Sequence, residues 1–342
     1  MRWVFVLLVL SASFASAATP EKLLSTIKAV SKEGAGNQEA GAAWKDLVAL
    51  GEEALLPTLL AMDDATPLAA NWLRSAANAI AETSLKKGGK LPADKLETFV
   101  KDAKHAPDAR RLAYEILVEV DAKTPERLLP AMVEDRSGEL RYDAIVAALK
   151  KAEKLEGKVA QAEYQRLFTA SREQAQAEKI SKTLEKLGEK PNLTKHFGVV
   201  TQWSVVGPFD STKGAGYNTV YEPEKGVKLD ATYKGKEGEV KWKPFTTEDT
   251  YGMVDLNKAI AKHKDAVAYA YTVVESEKEQ PVEIRFGCIC AVKIFLNGKQ
   301  VFAREEYHHG QRHDQYIAKG TLKPGKNTLL VKVVQNNQTE PW

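Results

Sequence analysis

Cysteine is nearly absent. Cys288 and Cys290 are the only two in 342 residues, which excludes the disulfide framework that staples many small exported domains. One residue separates them, and a bond across that gap would be strained. Read as part of a strand, both side chains point to one face and are expected to be two small buried hydrophobes. A bilayer span takes about 20 apolar residues, and no segment supplies that. The apolar run Trp3 to Leu10 is too short. No stripe of Lys and Arg interleaved with aromatics is present either. The formal net charge is +3, and lysines stand beside acids, as in Glu237-Gly-Glu-Val-Lys241. That pattern describes a solvated surface and argues against nucleic acid as a partner. There is no nucleophile elbow. Gly207-Pro208 and Gly214-Ala-Gly216 are turn glycines, because no suitable helix follows to make a phosphate loop. No catalytic residue, metal or cofactor is therefore assigned. Asp210 with Glu248 or Asp249 could be offered as an acid/base pair, but nothing fixes their separation.

What is present begins with a leader. Arg2 precedes the apolar run, and Ala15-Ser16-Ala17 has the small-x-small form of a cleavage site. Residues 1–17 are expected to be a signal peptide, with a mature chain that starts near Ala18 and has no membrane span. The protein is then exported, to the periplasm or beyond the cell. The rest is 44% hydrophobic and 28% charged, an ordinary globular composition. Its length suits two domains.

Residues 18–190 carry helical spacing. Ala69, Leu73, Ala76, Ala77 and Ile80 fall on one face, as do Leu112, Ile116 and Val120, and then Ile145, Ala148 and Leu149. Trp44 and Trp72 sit at core spacing and are expected to pack. Pro67, Pro107 and Gly138 mark helix starts. Aligned, these give Pro67-Leu-Ala-Ala, Pro107-Asp-Ala-Arg110 and Gly138-Glu-Leu-Arg141, an uneven repeat of paired helices. Residues 40–155 resemble HEAT repeats, in which Arg or Ala is common early in the second helix. The resemblance implies stacked helix pairs that share one core. An irregular helical bundle is the alternative.

Residues 191–197 read as a linker, and 198–342 change to strand period. Val199, Thr201, Trp203 and Val205 alternate. Further runs cover 267–274, 282–286, 291–296, 300–304 and 328–335. Asn297-Gly298 is a hairpin turn, and Lys323-Pro-Gly-Lys326 is a turn before the last strand. The fold class is thus multidomain α + β, a helical domain followed by an antiparallel β-sandwich. Val292-Lys-Ile-Phe-Leu-Asn-Gly-Lys-Gln-Val301 and Leu322-Lys-Pro-Gly-Lys-Asn-Thr-Leu-Leu-Val331 resemble the galactose-binding-like jelly roll, the sugar-binding domain of family 2 glycoside hydrolases, as found in secreted bacterial proteins. Modules of that kind carry a further strand after this point. The resemblance therefore implies either a fragment or a last strand drawn from elsewhere, with an open edge if the strand is missing.

The densest polar cluster is Tyr307-His308-His309-Gly-Gln-Arg312-His313-Asp314. Three imidazoles and a carboxylate could hold a metal, but the spacing matches no standard motif. A ligand or interface loop and a hydrogen-bonded structural loop are the other readings. A carbohydrate site needs an aromatic face beside planar polar groups, since sugars offer C–H faces and hydroxyls together. Tyr307 with Arg312, and Tyr217 with Asn218, are candidate pairs of this kind, whereas Trp203 and Trp242 fit core packing better. The expected function is a noncatalytic binding protein, a helical platform with a β module that takes a carbohydrate or another exported protein. The alternatives are a scaffold component without a sugar site and an enzyme with an unfamiliar His-rich site.

Overall fold

The computed structural model describes residues 19–339 and 342, so the leader expected over 1–17 lies outside the described residues. The architecture is α + β, in two compact units that divide after Gly188.

Ten α-helices make up the first unit among the described residues. They are α1 (Pro20–Lys28), α2 (Asn37–Ala49), α3 (Leu55–Leu60), α4 (Pro67–Lys86), α5 (Ala93–Lys101), α6 (Pro107–Val120), α7 (Thr124–Leu128), α8 (Gly138–Ala152), α9 (Gly157–Ala170) and α10 (Gln174–Lys186). Neighbours in the chain pack in pairs, with α1 on α2, α3 on α4, α5 on α6 and α9 on α10. Local chemistry sets the starts. The Thr66 hydroxyl accepts from Ala69 N–H ahead of Pro67, and Ser137 does the same for Leu140 N–H. Leu73, Ala76, Ala77 and Ile80 of α4 are fully buried. Trp44 and Trp72, expected in the core, are only half-buried. Each sits one position from its helix's buried stripe, Trp44 after Ala43 and Trp72 before Leu73, a rotation of about 100° to the flank.

One charged residue lies in this core. Arg110, 1% exposed, donates from Nη1 and Nη2 to both Asp135 oxygens at 2.8 and 2.6 Å, and from Nε to Val100 O at 2.8 Å. Asp135 also accepts from Ser137 N–H at 2.7 Å, and Arg141 Nε donates to Asp135 O at 2.7 Å. The second-helix arginines thus fasten the turn between α7 and α8. Upstream, Asp63 plays a similar part by accepting from Ala106 N–H at 2.7 Å.

The second unit contains α11 (Leu193–His196), β1 (Gln202–Asp210), α12 (Glu222–Lys225), β2 (Thr232–Gly235), β3 (Gly238–Lys241), β4 (Lys243–Thr246) and α13 (Leu256–Ala259). These are followed by β5 (Ala266–Ser276), β6 (Gln280–Phe286), β7 (Ala291–Leu296), β8 (Lys299–Arg304), β9 (Tyr316–Leu322) and β10 (Gly325–Gln335). Segment 191–197 is built into it. Asn192 caps α11 by accepting from Lys195 N–H, and Thr194 Oγ1 donates to Thr250 O.

The main sheet is six-stranded and antiparallel, in the order β4-β1-β5-β10-β7-β8, with two small sheets, β2-β3 and β6-β9. Asn297 and Gly298, both at positive φ, make the β7–β8 turn. β10 pairs on both sides, so the sheet's edges are β4 and β8. β4 is four residues long and carries Lys243 and Pro244, which blunt it against further pairing. Both faces are covered. One buries Val292, Ile294 and Leu329 against Ile284 and Phe286 of β6. The other buries Val206, Val267, Leu330 and Val334 against Phe209, Tyr217, Tyr233 and Trp242.

The second face also holds Lys332, 0% exposed. Its Nζ donates to Glu224 Oε1 at 2.9 Å, Thr219 O at 2.6 Å and Tyr217 O at 3.3 Å, and Tyr269 Oη donates to Glu224 Oε1 at 2.5 Å. Every donor of the ammonium is satisfied, as burial of a charge requires. Burial lowers the lysine's pKa and raises the phenol's. This cluster ties the 217–225 segment down onto the sheet.

The two cysteines do not lie on a strand. They occupy the bend between β6 and β7, where Cys288 N–H is taken by the Gln315 side chain at 3.1 Å instead of a sheet partner. Both are free thiols, Cys290 buried and Cys288 half-buried. Burial pushes the Cys288 thiol up to about 11.

Candidate ligand-binding site

The loop from Arg304 at the end of β8 to Tyr316 at the start of β9 folds over the β6–β7 bend. Three of its residues have left-handed φ, His308 at 54°, Gly310 at 88° and Asp314 at 53°, and they reverse the chain repeatedly. The loop is fastened at several points. His308 N–H donates to Ile289 O at 2.6 Å, and Gln315 Nε2 donates to Gly310 O at 3.0 Å. Gly287 lets the loop sit this close, since a Cβ there would lie 2.3 Å from Arg312 O.

The three imidazoles diverge. His308 Nε2 turns inward to Gln335 Oε1 at 3.1 Å and Asn336 Oδ1 at 3.0 Å. His313 packs edge-on between Phe197 and Tyr251, at 5.1 and 5.2 Å between centroids, with Nε2 3.4 Å from Asp314 Oδ1. Asp314 is held by Arg285 Nη1 at 2.9 Å. Among the described residues no three His, Cys, Asp or Glu side chains are grouped to hold a metal ion.

His309 alone faces outward. Gln315 Nε2 lies 3.1 Å from its Nδ1 and can only donate, so the neutral ring carries its proton on Nε2. That nitrogen is 3.3 Å from Tyr316 Oη and 3.8 Å from Glu306 Oε2. Arg304 pairs with Glu306 and holds its carboxyl below the usual range. Burial raises the Tyr316 phenol. Tyr316 also packs on Phe286 and Phe302, 5.5 and 5.3 Å between centroids, which fixes the ring.

Glu306, His309, Gly310, Gln311, Arg312, Gln315 and Tyr316 line a hollow of about 420 Å³. Arg312 is exposed, and its guanidinium has no partner among the described residues. Two rings thus stand beside a carboxylate, an amide and a free guanidinium. Planar groups of this kind can grip paired hydroxyls while a ring takes a C–H face.

Of the residues singled out from sequence, His309 and Arg312 line this hollow, and His308, His313 and Asp314 brace the loop that carries them. Tyr307 turns to the opposite core, where burial and then the Glu305 charge push its phenol up to about 12. Tyr217 is 9% exposed and lies under the Lys293 ammonium, 4.3 Å from its ring centroid, while Asn218 beside it is exposed. Trp242 is core and donates from Nε1 to Tyr233 Oη at 3.3 Å. Asp210 accepts from Thr212 N–H and Asp249 from Tyr251 and Met253 N–H, so both serve their own turns. Glu306, Gln315 and Tyr316 escaped sequence reasoning. The usable signal was Tyr316, an aromatic opening an alternating strand directly after the polar cluster.

No protein-family model matches the chain, and no curated protein matches it.

Proposed function

We propose that this is an exported, noncatalytic binding protein, in which a HEAT-like helical platform carries a galactose-binding-like β module that takes a carbohydrate at the 306–316 hollow. The observation that carries the reading is the placement of Tyr316 and His309 beside Glu306, Gln315 and the unpartnered Arg312 around one open cavity. Paired helices fastened by second-helix arginines support the HEAT-like half of it. The leader motif at 15–17 supports export.

A glycan array on the mature chain, followed by calorimetric titration of the best ligand, tests the reading. Arg312→Ala should weaken binding about tenfold or more, because it removes a charged hydrogen-bond donor. The melting temperature should hold, because Arg312 contacts nothing that stabilises the fold. An empty glycan array together with a stable protein partner recovered from the exported fraction would replace this reading with a scaffold role.

A further inference from the structure

The Gln315 amide is engaged at three points. Its Oε1 accepts from Cys288 N–H at 3.1 Å, and its Nε2 donates to Gly310 O at 3.0 Å. The same Nε2 lies 3.1 Å from His309 Nδ1. The amide cannot turn over, because that would set an N–H against Cys288 N–H and an oxygen against Gly310 O. His309 Nδ1 therefore has to remain an acceptor while the loop keeps this arrangement. On the other side of the ring, Nε2–H faces Tyr316 Oη at 3.3 Å, and that hydroxyl lies 3.5 Å from Glu306 Oε2. The neutral ring thus suits both of its neighbours.

The imidazolium does not. A proton on Nδ1 brings N–H against N–H at Gln315, two donors with no acceptor between them. Glu306 Oε2, 3.8 Å from Nε2, is the acid that can answer the charge. Arg304, from β8, already pairs with Glu306 Oε1 and holds that carboxyl below the usual range, so it stays ionised where imidazoles titrate. Arg312 lines the same hollow and repels a second cation. Burial keeps two further groups protonated, the Tyr316 phenol on β9 and the Cys288 thiol on the β6–β7 bend. Charge on His309 is thus opposed by Gln315, Arg304 and Arg312 and favoured by Glu306.

We infer that the His309–Gln315 contact is a proton-sensitive clasp on the 306–316 hollow, closed while the ring is neutral and opened when it is charged. Histidine changes charge between about pH 5 and 8. The closed loop holds one proton fewer than the open one, so falling pH shifts the population toward the open form. The charged ring swings from Gln315 to Glu306. The hollow then loses a ring from its wall and a carboxylate oxygen from its acceptors in one movement. His308 N–H still holds Ile289 O, and the His308 and His313 rings face other partners, so the movement is confined to 309–312. Release of a carbohydrate by this movement rests on the function proposed above, whereas the movement itself does not.

Nuclear magnetic resonance of the mature full chain, with nitrogen-15 in its side chains, tests the clasp without a ligand. At about pH 7.5 His309 should carry its proton on Nε2. From there to about pH 5.5 the backbone amides of Gly310 and Gln311 and the Gln315 side-chain amide should shift along the His309 titration. His309→Asn keeps an acceptor near the Nδ1 position and takes up no proton. Those shifts should then vanish while the His308 and His313 titrations remain, and an unchanged melting temperature shows that the variant is folded. Gln315→Glu sets a carboxylate against Nδ1 and should move the His309 midpoint to higher pH. The best glycan from the array should bind about tenfold more weakly at the lower pH, and His309→Asn should lose that difference. The clasp is overturned if the neutral ring carries its proton on Nδ1, or if residues 310, 311 and 315 do not follow His309. Glycan binding that is equal at both pH values, or a wild-type pH profile in His309→Asn, overturns its regulatory role. An empty array removes the carbohydrate reading, and the resonance result still decides the clasp.

Discussion

The Lys332 cluster and the 306–316 loop use the same chemistry at opposite levels of burial. Each joins an acid, a nitrogen base or cation and a tyrosine: Glu224, Lys332 and Tyr269 in one, Glu306, His309 and Tyr316 in the other. In the first, Lys332 and Glu224 side chains are 0% and 7% exposed and every donor is taken. In the second, the Glu306 and His309 side chains are 40% and 24% exposed, and Arg312 beside them has no partner among the described residues. A saturated, dry network holds chain segments together. An unsaturated one at the surface has donors and acceptors left for something else. Polar density alone does not separate the two, but the count of unused groups does.

The sharpest way to break this contrast is Lys332→Ala. It leaves Glu224 buried without its cation and should cost about 3–5 kcal/mol, seen as a lower denaturation midpoint for the β unit. Replacing both partners, with Lys332→Met and Glu224→Leu, should recover most of that loss, because no charge is then left unpaired. If the single variant is as stable as wild type, the network does not hold the 217–225 segment.

Gly287→Ala should come next, at about 1–3 kcal/mol. Its Cβ would meet Arg312 O, so the cost should come with displacement of the loop. Nuclear magnetic resonance shifts for His309 and Gln315 should move, while those around Tyr269 stay. Equal movement in both places would show that the two networks are mechanically one.

The smallest effect concerns pH. Cys288 has its pKa raised to about 11, above the usual thiol value near 8.5. The unfolded chain therefore gives up this proton first. Stability from the group is complete below the unfolded value near 8.5 and is lost as pH rises from there through about 11. Cys288→Ala should flatten that part of the stability–pH curve, as read by urea midpoints at each pH. At pH 8 both thiols should react slowly with a disulfide reagent until urea is added.

The sequence was legible where structure is decided locally. Thr66-Pro67, Ala106-Pro107 and Ser137-Gly138 open helices by cap and proline chemistry, and Asn297-Gly298 makes its hairpin whatever surrounds it. What escaped depends on distant partners. β9 pairs with β6, 30 residues earlier at the Phe286–Tyr316 end of the ladder and 42 earlier at the Gln280–Leu322 end, and Gly320 within it breaks the strand signal. β2 and β3 are only four residues each and rich in charge. The cysteines looked like strand residues because Gly287 gave no hint that another backbone passes over it. Lys332 carried a signal that was readable: it is in phase with Leu330 and Val334, so strict alternation places it on a buried face. For the candidate site, the loop was legible as a loop. Which imidazole turns outward was not, because that is decided by Gln335, Asn336, Phe197 and Tyr251, far away in the chain.

The position of β10 governs the order of events in time. β5 and β7 share no ladder with each other and meet only through β10, which pairs with both along its length. As a ribosome releases the chain, the helices can stack as they emerge. The β4-β1-β5 and β7-β8 groups can pair as they emerge, but the facing edges of β5 and β7 stay open until residues 325–335 appear. Joining the two strand groups is therefore a late closure, and the interval before it is when the open edges of β5 and β7 most need protection from neighbouring chains.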